Sequence, residues 1–465
     1  MKVMIRDLVR VFKGQLILGD PKTVVTRASI DSRTVEPGVL FFALKGARAD
    51  GHAYAMAACR QGVAAVVVSH LDWMGPVQNL SSAVIRVENP QEALQQLGTY
   101  LRGQFKGAVV GITGSNGKTT TKQMTASVLQ ALGKGLSTKG NYNSQLGLPL
   151  VLSELAEDHS WIVLELGASE PGHILKLAEI AHPKIGVITS IGPAHLASFG
   201  SVAMIAQSKW ELMESLPSDG MAVVPWGEPT LEPLIRSFTK RLVFFGEDSS
   251  CAVRASAIES KDDTRFILHI GSMSAKVQLP VPGRFNVKNA LASAAVGWLL
   301  GISVDRIAEG LRSFVPPPMR MQTIKHSSGA IFVNDAYNAN PASMVQSIWS
   351  FMENYSDKER VVVLGSMAEL GEESPKLHFH IGTEVGKCTI NKIFLFGEET
   401  KMVLDGLMAV GRNQRDIVHT NKIEELIEQV RKQLKPNVAI LFKGSRVMQL
   451  ERVIEALQKN AEVNV

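Results

Sequence analysis

The chain has 465 residues, of which 45% are hydrophobic and 20% are charged. One hydrophobic core rarely supports this length, so we expect roughly two to four domains. The net charge of +5 comes from scattered basic residues, which suits anionic small molecules and argues against a nucleic-acid groove. The three cysteines lack the spacing of a metal site or a disulfide framework, and no uncharged run reaches the roughly 20 residues of a membrane span. We therefore expect a cytoplasmic protein.

Apolar runs alternate with helical patterns along most of the chain, which predicts an α/β protein with largely parallel sheets. In the first hundred residues GVLFFALKG, AAVVVSH and AVIRVEN predict strands, with a helix over HAYAMAACRQG. A second unit begins with the strand AVVGIT and the helix TTTKQMTASVLQALG, followed by the strands WIVLEL and IGVITSI. In the same unit RFILHI and SAKVQLPV predict an antiparallel hairpin, and NALASAAVGWLLGISV predicts a buried helix.

Three consecutive prolines in FVPPPMRMQ stop any helix and mark a second boundary. Beyond them AIFVND, RVVVLG, KIFLFG and VAILFKG predict the strands of a further α/β unit. The sequence thus predicts three domains, over residues 1–105, 106–316 and 317–465.

The stretch GITGSNGKTTT joins a strand to a helix through glycines, a lysine and hydroxyl side chains. Such a turn points backbone N–H groups and a helix N-terminus at one spot, which favours an anion. Lys118 would reach the β- and γ-phosphates of a nucleotide, and Thr119 would bind Mg²⁺. The glycine spacing departs from the usual G-x-x-x-x-G-K-[ST] pattern, so a glycine-rich turn with an exposed lysine is the alternative.

Three further side chains have to be interpreted, and only the first suggests a metal ligand by its position. Glu165 lies in an apolar strand, where it is either a Mg²⁺ ligand or a solvated residue at the strand end. His195 follows another strand, a position where histidines are usually structural or exposed. Lys209 shares a helix with Glu211, and most such lysines face solvent.

Several polar residues stand at helix starts or strand ends. Asn286 and Asn289 lie on one face of a helix start, where N-capping is the ordinary use of asparagine. Another polar group follows the strand AIFVND, at the edge where open α/β sheets bind ligands, although a helix cap is the alternative. That group comprises Asp335, Tyr337, Asn338 and Asn340.

The spacing G-x-T-G-x-x-G-K-T-T resembles the loop of the Mur ligase family and of its folylpolyglutamate synthetase relatives. Further segments resemble family motifs in the same order along nearly the whole chain. They are DSRTVEPGVLFFALKGARADGHAY, STKGNYNSQLGLPL, NDAYNANPASM, VVVLGSMAELGEESPKLHFHIG and FKGSRVMQLE. The last three are similar to the branch that joins D-alanyl-D-alanine to UDP-N-acetylmuramoyl-tripeptide.

This resemblance implies an ATP-dependent, amide-forming ligase that acts through an acyl phosphate. It also implies a UDP-substrate domain, a central P-loop domain and a C-terminal Rossmann-like domain. Lys118, Glu165, His195 and Lys209 would be the catalytic residues. Mg²⁺ would be held by Thr119 and by Glu165, His195 and Lys209, the lysine being carbamoylated by CO₂.

The resemblance also implies two sets of binding residues. Contacts with ATP are expected from Gly114, Ser115, Asn116, Gly117, Lys118, Thr119, Thr120, Asn286, Asn289, Arg320 and Asp335. Contacts with the other substrates are expected from Ser32, Arg33, Gly51, His52, Asn143, Ser144, Ser169, Tyr337, Asn338 and Asn340. Lys443 and Arg446 are candidate contacts for an anionic substrate, with plain surface charge as the alternative.

The chain departs from the family pattern at several positions, which are Ser144, Ser208, Phe285, Met319, Ser366 and Leu450. Three alternatives stay open. Folylpolyglutamate synthetase lacks the DSR…DGH first domain, and the ligase that adds the third peptide residue carries a D-N-P-R motif that is absent here. A non-catalytic nucleotide switch would not need a second metal site. We expect a monomer, with no nucleic-acid partner and no membrane span.

Overall fold

The computed structural model describes residues 1–46, 49–75 and 80–459. These residues form three α/β units, each built on one main sheet, so the predicted α/β class with largely parallel sheets is confirmed. The domain boundaries near residues 105 and 316 remain a prediction. Across the described ranges, every helix is too short or too polar to cross a bilayer.

The first unit is built on a five-stranded sheet. Its strands are β1 (Val3–Met4), β2 (Gln15–Leu18), β3 (Val24–Val25), β4 (Arg27–Ser29), β5 (Val39–Phe42), β6 (Ala65–Val68) and β7 (Ala83–Arg86), and its helices are α1 (Ile5–Val11), α2 (Ala55–Arg60) and α3 (Pro90–Gln104). The main sheet has the order β2-β7-β6-β5-β4, and β2 is its antiparallel edge.

The first unit packs directly against the central unit. Gly98 of α3 allows this close approach, because a Cβ there would lie 3.0 Å from Ile180. Arg102 donates a hydrogen bond of 2.7 Å to the Ala181 carbonyl.

The central unit is a nine-stranded sheet with the order β16-β15-β14-β13-β12-β11-β8-β10-β9. Its strands are β8 (Ala108–Thr113), β9 (Gly135–Ser137), β10 (Trp161–Glu165), β11 (Ile185–Ile188), β12 (Met221–Pro225), β13 (Arg241–Gly246), β14 (Val253–Ser260), β15 (Thr264–Ile270) and β16 (Met273–Leu279). Its helices are α4 (Lys118–Leu129), α5 (Gly147–Ser153), α6 (His173–Ala181), α7 (Leu196–Phe199), α8 (Val202–Glu214), α9 (Glu232–Arg236), α10 (Phe285–Leu299) and α11 (Val304–Arg312). After β8 the chain forms β9 and β10 on one flank of that strand, and then β11 and β12 on the other flank. The strand order therefore reverses at β8. The carboxyl end of β8 is thus the topological switch point, where open α/β sheets bind ligands.

The third unit is a six-stranded sheet with the order β17-β18-β22-β19-β20-β21, parallel except at β17. Its strands are β17 (Gln322–Lys325), β18 (Ile331–Asn334), β19 (Glu359–Gly365), β20 (Lys392–Phe396), β21 (Ile417–Thr420) and β22 (Val438–Lys443). Its helices are α12 (Pro341–Asn354), α13 (Ser374–Gly386), α14 (Thr400–Ala409), α15 (Ile423–Arg431) and α16 (Glu451–Lys459).

The predicted hairpin is β15–β16, and the predicted buried helix is α10. The edge strands β9, β17 and β21 are absent from the sequence prediction, because each has only three or four residues and is partly exposed. Strands β12 to β14 are also absent from it, although β12 and β13 carry buried apolar residues.

Candidate active site

The loop between β8 and α4 depends on glycine at two positions. Gly117 has a φ of 81°, and a Cβ there would lie 2.3 Å from the Asn289 Oδ1. Gly114 has a φ of 145°, and its Cβ would lie 2.0 Å from the Thr189 Oγ1. Side chains are therefore excluded at both positions. The loop leads straight into the N-terminus of α4, where unpaired N–H groups favour an anion.

Lys118 is folded into this loop. Its Nζ donates hydrogen bonds of 2.7 Å to the Gly114 carbonyl and 3.3 Å to the Ser115 carbonyl. Burial lowers the pKa of Lys118, while the nearby Glu165 carboxylate acts in the opposite direction. The alternative of an exposed lysine on a glycine-rich turn does not fit this arrangement.

Glu165 ends β10 beside the loop and is only 3% exposed. Its Oε1 accepts a hydrogen bond of 2.9 Å from the Asn143 side chain. Its Oε2 is buried without a hydrogen-bond partner among the residues that the structure describes. A buried carboxylate oxygen is costly unless it is paired, and a hard cation such as Mg²⁺ is a fitting partner. The alternative of a solvated strand end is excluded.

His195 follows β11 at the same edge of the sheet. It is a non-glycine residue with a φ of 54°, and its Nδ1 lies 2.5 Å from the Glu369 Oε2 of the C-terminal unit. Burial lowers the pKa of His195; Glu369 opposes this effect, and the charges of Lys118 and Lys209 add to it. His195 and Lys118 line the same cavity.

Lys209 lies on α8 and is 3% exposed, so the solvent-facing alternative is wrong. Its Nζ is 5.5 Å from the centre of the Phe199 ring. Burial, assisted by the charge of Lys118, lowers the pKa of Lys209 to about 7. The charge of Glu211 acts in the opposite direction, and its carboxylate accepts the backbone N–H groups of Gly172 and Leu175 at 2.7 and 2.9 Å.

A cavity of about 540 Å³ lies between the central and C-terminal units. It brings together most of the sequence-predicted residues from both units. They are Ser115, Asn116, Gly117, Lys118, Thr119, Asn143, Ser144, Glu165, Ser169, His195, Arg320, Tyr337, Asn338 and Asn340.

A smaller cavity of about 140 Å³ adjoins the other side of the loop. Its lining includes the predicted residues Thr120, Asn286, Asn289, Arg320 and Asp335. Neither asparagine caps a helix, because α10 begins at Phe285. The Asn289 Nδ2 donates to the Asn286 Oδ1 at 3.2 Å, and the Asn286 Nδ2 donates to the Pro282 carbonyl at 2.8 Å. Phe285, one of the positions where the chain departs from the motifs it resembles, also lines this cavity.

Four predicted substrate residues lie apart, in the first unit, and line neither cavity. They are Ser32, Arg33, Gly51 and His52. The Arg33 side chain is 87% exposed and pairs with Asp31 at 2.7 Å. His52 is buried; its Nδ1 contacts Asp50 at 2.6 Å, and its Nε2 accepts the Ser69 N–H at 2.9 Å. A role for these four residues in substrate binding stays a prediction.

Two contacts that the sequence analysis missed join the P-loop to the C-terminal unit. Asn340 donates to the Asn116 Oδ1 at 2.8 Å, and Asn116 donates back at 3.4 Å. Asn340 also caps α12, so the helix-cap alternative is right but incomplete. The Arg320 guanidinium lies 4.1 Å from the Tyr337 ring centre and 3.5 Å from the Thr119 Oγ1.

Lys443 ends β22 and forms a buried ion pair of 2.7 Å with Asp335. It also donates a hydrogen bond of 2.9 Å to the Asn338 carbonyl. The surface-charge alternative is therefore wrong for Lys443. The surface-charge alternative does fit Arg446, which is half-exposed and pairs with Glu451.

Replacing Lys443 by methionine is expected to lower the free energy of unfolding by about 3–5 kcal/mol, because it leaves Asp335 charged, buried and without its cation. Chemical denaturation of the full chain would measure the loss. The double variant Lys443→Met/Asp335→Asn is the control, and it should recover much of the loss. A single variant as stable as the native chain would contradict the prediction.

A phosphate-binding loop at a topological switch point, a buried carboxylate beside it and a second α/β unit across the cavity define an enzyme of the nucleotide-dependent α/β class. Three family models match the chain. The Mur ligase middle domain matches residues 112–297, the Mur ligase glutamate ligase domain 319–446, and the Mur ligase family catalytic domain 24–100.

Individual relatives match over nearly the full length. The UDP-N-acetylmuramoyl-tripeptide–D-alanyl-D-alanine ligase of Bacillus subtilis is 34% identical over 464 residues, covering 98% of each chain. The crystal structure of MurF from Acinetobacter baumannii superposes with a TM-score of 0.90, at 30% identity over 99% of each chain. The crystal structure of MurF ligase from Thermotoga maritima in complex with ADP superposes with a TM-score of 0.82, at 28% identity over 95% of this chain and 99% of that one. The chain belongs to the Mur ligase family, whose members are ATP- and Mg²⁺-dependent ligases that form amide bonds.

Proposed function

We propose that this chain joins D-alanyl-D-alanine to UDP-N-acetylmuramoyl-tripeptide, with conversion of ATP to ADP and phosphate. The observation that carries the proposal is the cavity shared by the P-loop and the C-terminal unit, with Glu165 beside the loop. Relatives at 34% and 32% identity over 98% of this chain are named for this reaction. We place the reaction in the cytoplasm and expect a monomer.

The chemistry explains why a nucleotide is needed. A carboxylate is a poor electrophile, so an oxygen of the tripeptide's terminal carboxylate first attacks the γ-phosphorus of ATP, and ADP leaves. The amine of D-alanyl-D-alanine then attacks the acyl carbon of this acyl phosphate, phosphate leaves, and the nitrogen loses a proton. Lys118 would neutralise charge on the phosphoryl group, and the backbone N–H groups of the loop would hold it in position.

The donor set next to the loop fits Mg²⁺. Thr119 would hold one ion, and Glu165, His195 and a carbamate on Lys209 would hold another. The Glu165 Oε2, which has no hydrogen-bond partner among the described residues, supports this assignment. Mg²⁺ at these residues would supply positive charge for the phosphate oxygens. The carbamate forms when the neutral Lys209 amine attacks CO₂ and loses a proton. Burial of Lys209, with its pKa at about 7, favours that neutral form.

The remaining residues divide into three groups by position. Around the smaller cavity, Thr120, Asn286, Asn289, Arg320 and Asp335 would contact the nucleotide, as would Gly114, Ser115, Asn116 and Gly117 of the loop. In the larger cavity, Asn143, Ser144, Ser169, Tyr337, Asn338 and Asn340 would contact the peptide substrates. In the first unit, Ser32, Arg33, Gly51 and His52 would contact the UDP moiety.

The test is phosphate release from ATP and Mg²⁺ with both substrates present, and with each left out in turn. We expect release that requires both substrates, and a pentapeptide product by mass spectrometry. Release with a dipeptide-bearing nucleotide and a free diamino acid would instead assign the chain to the neighbouring branch. Nucleotide binding without turnover under any pairing would favour a switch. Using diaminopimelate- and lysine-containing tripeptides in parallel identifies the preferred third residue.

A further inference from the structure

Glu369 lies between β19 and α13 and reaches the central unit from the C-terminal one. Its φ is 65° and that of His195 is 54°, so two non-glycine residues in the left-handed region face each other across the cavity. Their side chains meet with 2.5 Å between the Glu369 Oε2 and the His195 Nδ1. Such backbone strain persists only where the surrounding structure imposes it, and it clusters at functional sites.

The segment that carries Glu369 is held from several sides. The Met367 N–H donates to the His378 Nε2 at 2.9 Å, and the Ala368 N–H donates to the Ser445 Oγ at 2.8 Å. The Glu369 carbonyl accepts the Ala197 N–H of the central unit at 3.2 Å. These hydrogen bonds therefore fix the backbone position from which the Glu369 side chain reaches His195.

The pair is poorly placed to stabilise the fold. The Glu369 side chain is 60% exposed and that of His195 is 32% exposed, and exposed ion pairs contribute little to stability. Its chemistry suits a different role. A carboxylate only accepts hydrogen bonds, so Nδ1 must carry the hydrogen, which leaves the lone pair of Nε2 free for a cation.

We propose that Glu369 is a positioning residue for the ligase reaction, which fixes the tautomer and ring orientation of His195 for Mg²⁺ binding. The inference rests on the proposed function, since that is where His195 acquires a metal. Because the two residues belong to different units, this contact makes the metal site of the central unit depend on the docked C-terminal unit.

The test is a double-mutant cycle on Mn²⁺ binding to the full chain without nucleotide, measured by electron paramagnetic resonance of free Mn²⁺. Glu369→Ala and His195→Ala should each weaken binding ~10–100-fold, and the double variant should be little worse than His195→Ala. Glu369→Gln keeps an oxygen that accepts the Nδ1–H and should retain most of the affinity. Glu372→Ala removes the same charge from an exposed position in the same segment and should bind as the native chain does.

Three results would overturn the proposal: native affinity in Glu369→Ala, full additivity of the two substitutions, or a native chain that does not bind Mn²⁺. The substrate drop-out assay on the native chain judges the proposed reaction separately. A chain that binds Mn²⁺ with the expected coupling but forms no pentapeptide would retain the Glu369–His195 link and refute the reaction. A chain that forms the pentapeptide but shows no coupling between Glu369 and His195 would retain the reaction and refute the link.

Discussion

Replacing Lys118 by alanine is expected to lower the rate of ATP-dependent ligation by ~10³-fold or more while the chain stays folded. The Lys118 ammonium lies at the start of α4, and its hydrogen bonds run to carbonyls of its own loop. These contacts stay within the loop and lie outside the hydrophobic cores, so removing the side chain should spare the fold. The rate would be measured as phosphate release with both substrates, and folding by circular dichroism and the thermal midpoint.

The matched control is Lys134→Ala. Lys134 is exposed and pairs with Asp158 at 2.7 Å, so this variant removes the same charge far from the loop. It should turn over at the native rate. A Lys118→Ala chain that turns over normally would overturn the P-loop assignment, because transferring phosphoryl groups are stabilised mainly by positioned positive charge.

Local pattern was sufficient to predict the features that depend on neighbours in sequence. Strands such as β8 and β19 are buried on both faces of parallel sheets, so they appear as continuous apolar runs. The P-loop is equally local, since its strand, glycines, lysine and helix follow one another directly. The sequence analysis passed over Lys122, although its spacing of four residues from Lys118 places both lysines on the same face of α4. Lys122 is buried and donates a hydrogen bond of 2.6 Å to the Thr138 carbonyl.

Contacts between distant segments could not be predicted in this way. Lys443 follows an apolar run, but only the parallel pairing of β18 with β22 brings it against Asp335. The Asn116–Asn340 and His195–Glu369 contacts depend on how two whole units dock, which no local pattern encodes. Nothing in the structure explains why serine stands at Ser366, whose buried Oγ has no hydrogen-bond partner among the described residues.

Replacing Lys209 by alanine is expected to lower turnover by ~10²-fold or more, because the proposed carbamate ligand could no longer form. Lys209→Arg separates this explanation from a simple need for positive charge. A guanidinium stays protonated and cannot attack CO₂, so the arginine variant should be as inactive as the alanine variant. Acetate or formate, small enough to occupy the space left in Lys209→Ala, should restore part of the rate. Native turnover in Lys209→Arg would exclude the carbamate.

The proposed carbamate can be tested for directly in the native chain. With ¹³C-labelled bicarbonate, a protein-bound carbamate carbon should appear in the NMR spectrum and be absent from Lys209→Ala. Burial lowers the pKa of Lys209 to about 7, so the amine is mostly neutral above that pH and mostly protonated below it. At fixed bicarbonate, the signal should therefore hold above pH 7 and fall about tenfold for each unit below it, since only the neutral amine reacts. A signal absent at every pH would refute the carbamate, and the burial of Lys209 beside Phe199 would then need another explanation.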